Sequence, residues 1–395
     1  MTGLGRDNER RLKLLMCPIV FALVCLPAGA RAERERVTRS DLLLEDPVNI
    51  ALEKQKNEDL WDYLSESDVP WIRAAAALHF IGESDPDLRA QGTELASALL
   101  ATSPRDTHTL LLLFDVCNEA PEISDCSTTD IGTRLIESAP DNGAFYLKVV
   151  GKGVDMNAEG IPDTREARQA LWRAADAGSV DDYYGQDSLE LYRVVLAFEN
   201  EYQPTHEPAM DMAPHSRAFS NTWYVNLMQP LTAFVGLAGL CQAQIREERA
   251  DYIEPCLALA RNMQERGKSL VTRSIGYGLE RRMLDAMGED KATVLYVYRK
   301  QRMSTHVSVC QMPNRMKSGE NWREPEESEV IKYLTDLGTA GEIAAIRNQA
   351  IRGYEANPED YEQDPLACEA LMDLDSESMG RYLGDADPKR MMETE

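Results

Sequence analysis

The sequence predicts an all-α protein in which antiparallel helical hairpins stack on one another. Apolar residues recur at helical spacing in segments of about 10 to 20 residues along most of the chain. Asp-Pro and Ser-Pro pairs, which favour helix starts, precede two of these segments. Alternating strand patterns and βαβ units are almost absent, so short connections between the helices indicate neighbouring antiparallel hairpins.

The N-terminus has the features of a secretory signal peptide. Four basic residues precede the apolar run Leu14–Leu26, which is shorter than the about 20 residues of a membrane span. Ala30 and Ala32 then place small residues where a signal peptidase reads. We expect residues 1–32 to be removed after Ala32, with cleavage after Ala30 as the alternative. A lipoprotein acylated at Cys25 ranks second, because the valine before that cysteine is larger than the residue normally found there.

The mature chain is strongly acidic. After removal of residues 1–32 it keeps 37 basic and 65 acidic residues, a net charge of −28, whereas the whole chain has a net charge of −25. Such a surface repels nucleic acid and anionic lipid, and no basic cluster interleaved with aromatic residues offsets it. The apolar run Val225–Leu240 contains polar residues and Pro230, which favours a buried helix. We therefore expect a periplasmic or secreted protein with no nucleic-acid partner and no membrane span in the mature chain.

Six cysteines remain in the mature chain. An oxidising compartment favours pairing, and no cysteine has the spacing of a zinc site. A disulfide across a loop of about 15 residues contributes roughly 3 kcal/mol in the chain-entropy model. Proximity favours two pairs and leaves a third, although the exact pairing stays open: Cys117 with Cys126, Cys241 with Cys256, and Cys310 with Cys368.

The first region, residues 33–202, contains a series of helical segments. Asp85 and Ser103 are predicted N-caps before prolines, and Ser103 with Asp106 resembles a capping box. The segments are Leu42–Leu52, Leu60–Leu64, Leu88–Leu100, Leu110–Val116, Ile131–Ile136, Ala144–Val150, Arg165–Ala177 and Leu189–Phe198.

A Pro-rich loop, residues 203–215, leads to a second helical region, residues 216–374. The polar residues 375–395 are expected to form a disordered tail. The predicted helices of the second region are Trp223–Gln244, Ile253–Glu265, Leu270–Met287, Ala292–Met303, Val330–Leu337, Ile343–Ile351 and Ala367–Leu374.

Three segments resemble parts of the tetratricopeptide repeat. Ala139–Tyr146 and Glu355–Tyr361 resemble the turn between repeats, and Glu166–Gly178 resembles a second repeat helix with its closing glycine. The resemblance covers about a quarter of the mature chain and sustains no fixed period of about 34 residues. It implies a degenerate α-helical repeat, which is a packing mode and not an activity. The chain also resembles exported all-helical proteins of bacteria.

No established catalytic motif is present. The sequence lacks a nucleophile elbow, a Walker loop and a zinc-hydrolase helix. Gly151-Lys152-Gly153 lacks the preceding strand and the third glycine of a dinucleotide site. His79 is predicted to lie near the core. We assign no catalytic, cofactor-binding or metal-binding residue.

Two groups of residues offer alternatives. His206, Met210, Met212 and His215 carry the soft ligands that suit Cu(I), although the prolines of their loop explain the segment without a metal. Acids beside aromatic rings, as at Asp181–Tyr184 and Trp223-Tyr224, can line a glycan cleft, although helix starts and hairpin packing explain them equally well.

The sequence is best explained by a non-catalytic helical-repeat scaffold that binds a protein or peptide in the bacterial envelope. One alternative is an enzyme of α/α-barrel type that acts on polysaccharide. The other is a soft-metal (copper) carrier. No partner, substrate or oligomeric state follows from the sequence.

Overall fold

The computed structural model describes residues 47–150, 165–181, 185–202, 212–227, 241, 250–314 and 324–384. The chain divides into two units, Met1–Ala51 with Pro208–Met210 and Leu52–Glu207 with Asp211–Glu395. Of the first unit only residues 47–51 are described, and every contact reported below lies within the second. The predicted signal peptide and Cys25 lie outside the described residues.

All regular secondary structure in the described residues is helical, which confirms the all-α prediction. Two isolated parallel bridges, Asn142–Ser179 and Val180–Gly267, are the only β contacts there. The helices are α1 (Pro47–Ser65), α2 (Pro70–Gly82), α3 (Pro86–Ala101), α4 (Thr107–Glu119), α5 (Thr128–Ser138), α6 (Gly143–Val150), α7 (Arg165–Asp176), α8 (Ser188–Glu201), α9 (Pro214–Leu227), α10 (Ala250–Arg266), α11 (Leu270–Ala286), α12 (Lys291–Cys310), α13 (Glu327–Ala340), α14 (Glu342–Ala356), α15 (Pro365–Glu369) and α16 (Ser376–Tyr382), with 3₁₀ turns at Pro358–Asp360 and Ala370–Asp373.

Capping residues set the starts of α3 and α4. Asp85 caps α3 with Pro86 as its first residue, as predicted. The predicted start of α4 at Ser103 is wrong. This helix begins after Asp106, whose carboxylate accepts a hydrogen bond at 2.8 Å from the backbone N–H three residues on. Pro104 disfavours helical backbone at the residue before it, and Ser103 has a φ of 51°.

The described part of the first predicted segment, from Pro47 on, forms one helix with the second. α1 runs without a break through the polar residues Glu53–Asp59. These residues interrupt the apolar pattern but are mostly good helix formers. Lys54 and Glu58, one turn apart, form an ion pair at 3.2 Å.

Two main hydrophobic cores hold the helices together. The larger takes residues from α1 to α6, α8, α9, α13 and α14, and the smaller from α6, α7, α10 and α11. Phe145 of α6 lies in the larger core and Leu147 of the same helix in the smaller. Both cores draw on helices from either side of residues 203–215, so the packing does not follow the two predicted regions.

The C-terminal part differs from the predicted tail. Residues 376–382 form α16, which Asp375 caps through its carboxylate, and Met379 is fully buried. Gly380 lies against the guanidinium of Arg299, and the Arg299 Nη1 donates to the Ser376 carbonyl at 2.9 Å. A polar sequence with one buried methionine thus packs on α12. Residues 385–395 lie outside the described residues.

Three disulfides join Cys117 to Cys126, Cys241 to Cys256, and Cys310 to Cys368. Proximity in the sequence favoured the first two of these pairs, and the third is the pair that was left. The first connects the end of α4 with the turn before α5, and the third ties the end of α12 to α15. The C-terminal helices are therefore covalently attached to the middle of the chain.

Small residues let consecutive helices approach closely. A methyl group added at Gly92 would lie 2.8 Å from the Ala77 carbonyl oxygen, between α3 and α2. At Gly276 the corresponding distance, to the Ala260 carbonyl oxygen between α11 and α10, is 2.7 Å. Helices joined by short connections therefore pack side by side in at least these two places.

Candidate interaction surface

Helix α7 buries one face and exposes a tryptophan on the other. Ala167, Ala170, Leu171 and Ala174 are at most 7 % exposed, whereas Trp172 is 42 % exposed. Each residue turns an α-helix by about 100°, so Trp172 lies on the far side of the helix from Ala170 and Ala174. The small residues that fix the buried face thereby also fix the outward position of Trp172.

Helix α10 anchors the C-terminal end of α7. The side-chain amide of Asn262 donates to the Ala177 carbonyl at 2.8 Å. The Arg266 guanidinium donates to the Ala177 and Gly178 carbonyls at 3.1 and 3.2 Å. These bonds satisfy carbonyls that the helix itself leaves without partners. Trp172 therefore stands on a helix held by a neighbouring element.

Two arginines of α7 lie against tyrosine rings beside Trp172. The Arg173 guanidinium is 5.7 Å from the centre of the Tyr146 ring. Arg168 lies 5.6 Å from the centre of the Tyr252 ring, and its Nε donates to the Tyr252 hydroxyl at 2.8 Å. Arg168 precedes Trp172 by four positions, which makes them neighbours on the helix surface. We name Tyr146, Arg168, Trp172 and Arg173 together the Trp172 surface.

The charge of α7 differs in sign from that of the whole chain. This helix carries Arg165, Arg168 and Arg173 against Glu166 and Asp176, whereas the chain has a net charge of −25. Within the described part of the chain, no carboxylate forms an ion pair with Arg173. An arginine offers five N–H donors in a planar fork that matches a carboxylate. The contact with the tyrosine ring orients this fork without using its donors.

No family model, curated protein or solved structure matches this chain. No helix in the described ranges is long and apolar enough to cross a membrane.

His79 lies near the larger core, as predicted. Its ring stacks on the Trp61 ring with centroids 4.1 Å apart and an angle of 12° between the planes. Burial lowers the pKa of His79 from 6.5 to about 4. The Glu83 carboxylate is 3.8 Å away and half-buried. The neutral ring is thus part of the packing between α1 and α2.

A second histidine is paired with a carboxylate, and no motif in the sequence predicts this pair. The His108 Nδ1 is 3.2 Å from the Asp187 carboxylate, and its ring stacks on Trp71 at 4.3 Å. The Trp71 indole N–H donates to the Glu190 carboxylate at 2.9 Å. His108 is only 3 % exposed, whereas Glu190 is exposed, so the group joins α2, α4 and α8 at the edge of the core. The members lie far apart in the sequence, where no local pattern connects them.

The proposed soft-metal ligands are only partly described. His206 and Met210 lie outside the described residues. His215, the last residue of the predicted loop, instead falls in α9, which begins at Pro214, and its Nε2 is 2.8 Å from the Pro325 carbonyl oxygen. The Arg217 guanidinium bonds to the backbone carbonyl of Met212. The described ranges contain no group of three or more His, Cys, Asp or Glu residues suited to a metal ion.

Asp181 connects three turns between helices. Its carboxylate lies 2.5 Å from the Lys268 Nζ. The Asn142 side chain bonds to both the N–H and the carbonyl of Asp181, at 2.9 and 2.8 Å. Gly341, with a φ of 87°, lies directly against Lys268. The side chain and backbone of Asp181 thus hold these turns together. The other three candidate glycan-cleft residues of this segment lie outside the described residues: Asp182, Tyr183 and Tyr184.

Trp223 and Tyr224 pack against the larger core. The Trp223 ring lies 6.3 Å from Phe219 and 6.3 Å from Tyr333, between centroids. Tyr333 in turn meets Phe219 edge to face at 5.9 Å. These rings join α9 to α13. The contacts agree with the interpretation that Trp223 and Tyr224 serve packing between helices.

One ion pair is buried inside the larger core region. The Lys148 Nζ lies 2.7 Å from the Asp115 carboxylate, and the two residues are 6 % and 8 % exposed. Burial raises the pKa of Asp115, while Lys148 opposes that rise. The pair links α4 to α6 beside the Cys117–Cys126 disulfide.

Proposed function

We propose that this protein is an exported, non-catalytic helical scaffold that binds a protein or peptide partner through the Trp172 surface. The observation that carries the proposal is the 42 % exposure of Trp172 beside two arginines oriented by tyrosine rings. Tryptophan, tyrosine and arginine are the residues that most often dominate the binding energy of protein interfaces. Their combination on an anchored helix supports a binding role.

We further propose that α6 and α7 form one hairpin of a degenerate tetratricopeptide-like repeat. The residues that resemble that family, Ala139–Tyr146 and Glu166–Gly178, fall on this pair. A methyl group added at Gly143 would lie 2.7 Å from the Ala174 carbonyl oxygen, so the two helices are in close contact. Such hairpins present extended surfaces to partners.

Export through an N-terminal signal peptide is part of the same proposal. The three disulfides support an oxidising compartment, such as the periplasm or the cell exterior. We expect intact-mass analysis of the protein from its producing cells to give a chain that begins at Glu33. That chain should gain six hydrogens on reduction. A retained N-terminus would contradict export, and an acyl group on Cys25 would make the protein a lipoprotein.

Site-directed photo-crosslinking tests the binding role. Gln169, an exposed residue one turn before Trp172, is replaced by p-benzoylphenylalanine in the full-length protein, which is expressed in its producing cells and irradiated. We expect a discrete crosslinked protein or peptide, which disappears when Arg173→Glu is added.

Leu366 provides the matched control, because it is 48 % exposed and lies on α15, outside the Trp172 surface. The same photoreactive residue at position 366 should give no such adduct. Equal labelling from both positions, or none from position 169, would refute the proposed function.

A further inference from the structure

We infer that the segment bound at the Trp172 surface is an acidic peptide with an apolar side chain next to a carboxylate. This inference rests on the proposed function and specifies its ligand. It follows from the orientation of Arg173, the local charge of α7 and the exposed indole of Trp172.

Arg173 provides a preoriented site for a carboxylate. Its guanidinium is held 5.7 Å from the Tyr146 ring, and it makes no ion pair within the described residues. The Tyr146 hydroxyl donates to the Pro140 carbonyl at 2.8 Å, which restrains the ring beneath the guanidinium. A planar guanidinium binds a carboxylate through two parallel N–H bonds, and holding it in place beforehand reduces the entropic cost of binding.

Trp172 provides the adjoining apolar contact. It directly precedes Arg173, so the two side chains leave the helix about 100° apart. The exposed part of the indole can cover one aliphatic or aromatic side chain. A carboxylate bound by Arg173 would lie beside that side chain. Together these two contacts specify an acidic residue flanked by an apolar one.

The local charge selects an acidic ligand over a basic one. Arg168 lies one turn before Trp172 and Arg173 directly follows it, whereas Asp176 lies one turn after it. The helix as a whole has three arginines against two acidic residues, in a chain whose net charge is −25. At physiological ionic strength, charges act over about 8 Å. The two arginines beside the indole therefore outweigh Asp176 there, and repulsion from distant carboxylates is screened. A basic peptide would be attracted to the protein in general and repelled at this surface.

Selection from a phage-displayed library of random peptides tests the inference with the full mature protein. We expect the selected peptides to be enriched in Asp and Glu beside an apolar residue. For the best such peptide, synthesised with a fluorescent label, Trp172→Ala should weaken binding about 30-fold and Arg173→Ala about tenfold. Leu366→Ala should leave binding unchanged. Far-UV circular dichroism and the urea midpoint would show that each variant folds, since all three residues are exposed.

A charge exchange gives the sharpest readout. Arg173→Glu should abolish binding of the acidic peptide, and replacement of its key Glu by Lys should restore it. Selected peptides that require Trp172 but are neutral or basic would overturn the acidic ligand and leave the scaffold proposal standing. Peptides that bind regardless of Trp172, or no selected peptides, would overturn the proposed function as well. Binding of an anionic polysaccharide in place of any peptide would likewise refute the inference.

Discussion

Replacement of His79 tests how far one buried ring controls the acid stability of the fold. In the folded protein burial lowers the pKa of His79 to about 4, whereas an unfolded histidine has a pKa of 6.5. Between these values the unfolded chain binds a proton that the folded chain excludes. The stability that depends on the neutral ring is therefore complete above pH 6.5 and is lost as the pH falls towards 4.

The size of the effect follows from the difference between the two pKa values. Each pKa unit corresponds to about 1.4 kcal/mol, so a fall from 6.5 to about 4 corresponds to a loss of about 3 kcal/mol by pH 4. The side chain is 13 % exposed and stacks on Trp61, so little solvent is available to reduce this cost.

The assay is urea unfolding at several pH values between 7 and 4, with the disulfides intact. His79→Phe and His79→Gln differ in polarity but share the loss of the titrating ring. Relative to both variants, the wild-type protein should lose about 3 kcal/mol of unfolding free energy as the pH falls over this range. Curves that stay parallel for all three proteins would refute the reasoning.

Two further perturbations concern buried packing. Lys148→Met leaves the Asp115 carboxylate buried without its partner, so urea unfolding should show a loss of about 3–5 kcal/mol, most of which Asp115→Leu in the same chain restores. No recovery in the double variant would contradict this. Gly276→Ala places a methyl 2.7 Å from the Ala260 carbonyl oxygen and should cost about 1–3 kcal/mol. Gly278→Ala, whose nearest described neighbour is 3.8 Å away, should stabilise the same helix by about 0.5–1 kcal/mol. Equal effects at the two glycines would count against close packing there.

Most of the fold prediction was based on the helical spacing of apolar residues. In α7 the spacing of Ala167, Ala170, Leu171 and Ala174 matches the helical period, and these four residues form the buried face. The same helical spacing places Trp172 on the opposite, exposed side. The sequence alone did not show that arginines of α7 would lie against the rings of Tyr146 and Tyr252. Proximity also favoured two of the disulfide pairs, because loop length limits which cysteines meet easily, and the pairing of Cys310 with Cys368 was then the one left.

Contacts between distant segments could not be predicted in the same way. Trp71 and Glu190, or His108 and Asp187, meet because side chains at the start of α8 reach α2 and α4, and a periodic pattern does not say which helix end lies near which face. The error at Ser103 has a local cause, since a proline acts on the residue before it as well as on the helix after it.

The composition of the larger core determines when this chain can complete its fold. Val330 and Leu334 of α13 lie in the same core as Leu191 and Val195 of α8, on which α13 packs, although α9 to α12 lie between the two helices in the sequence. In an open repeat array each unit contacts only its neighbours, and folding can spread from one end. Here a chain that emerges N-terminus first has delivered most of its length before α13 can pack on α8. Until then α8 keeps part of its apolar surface uncovered, so the emerging chain needs protection from aggregation while the rest is delivered.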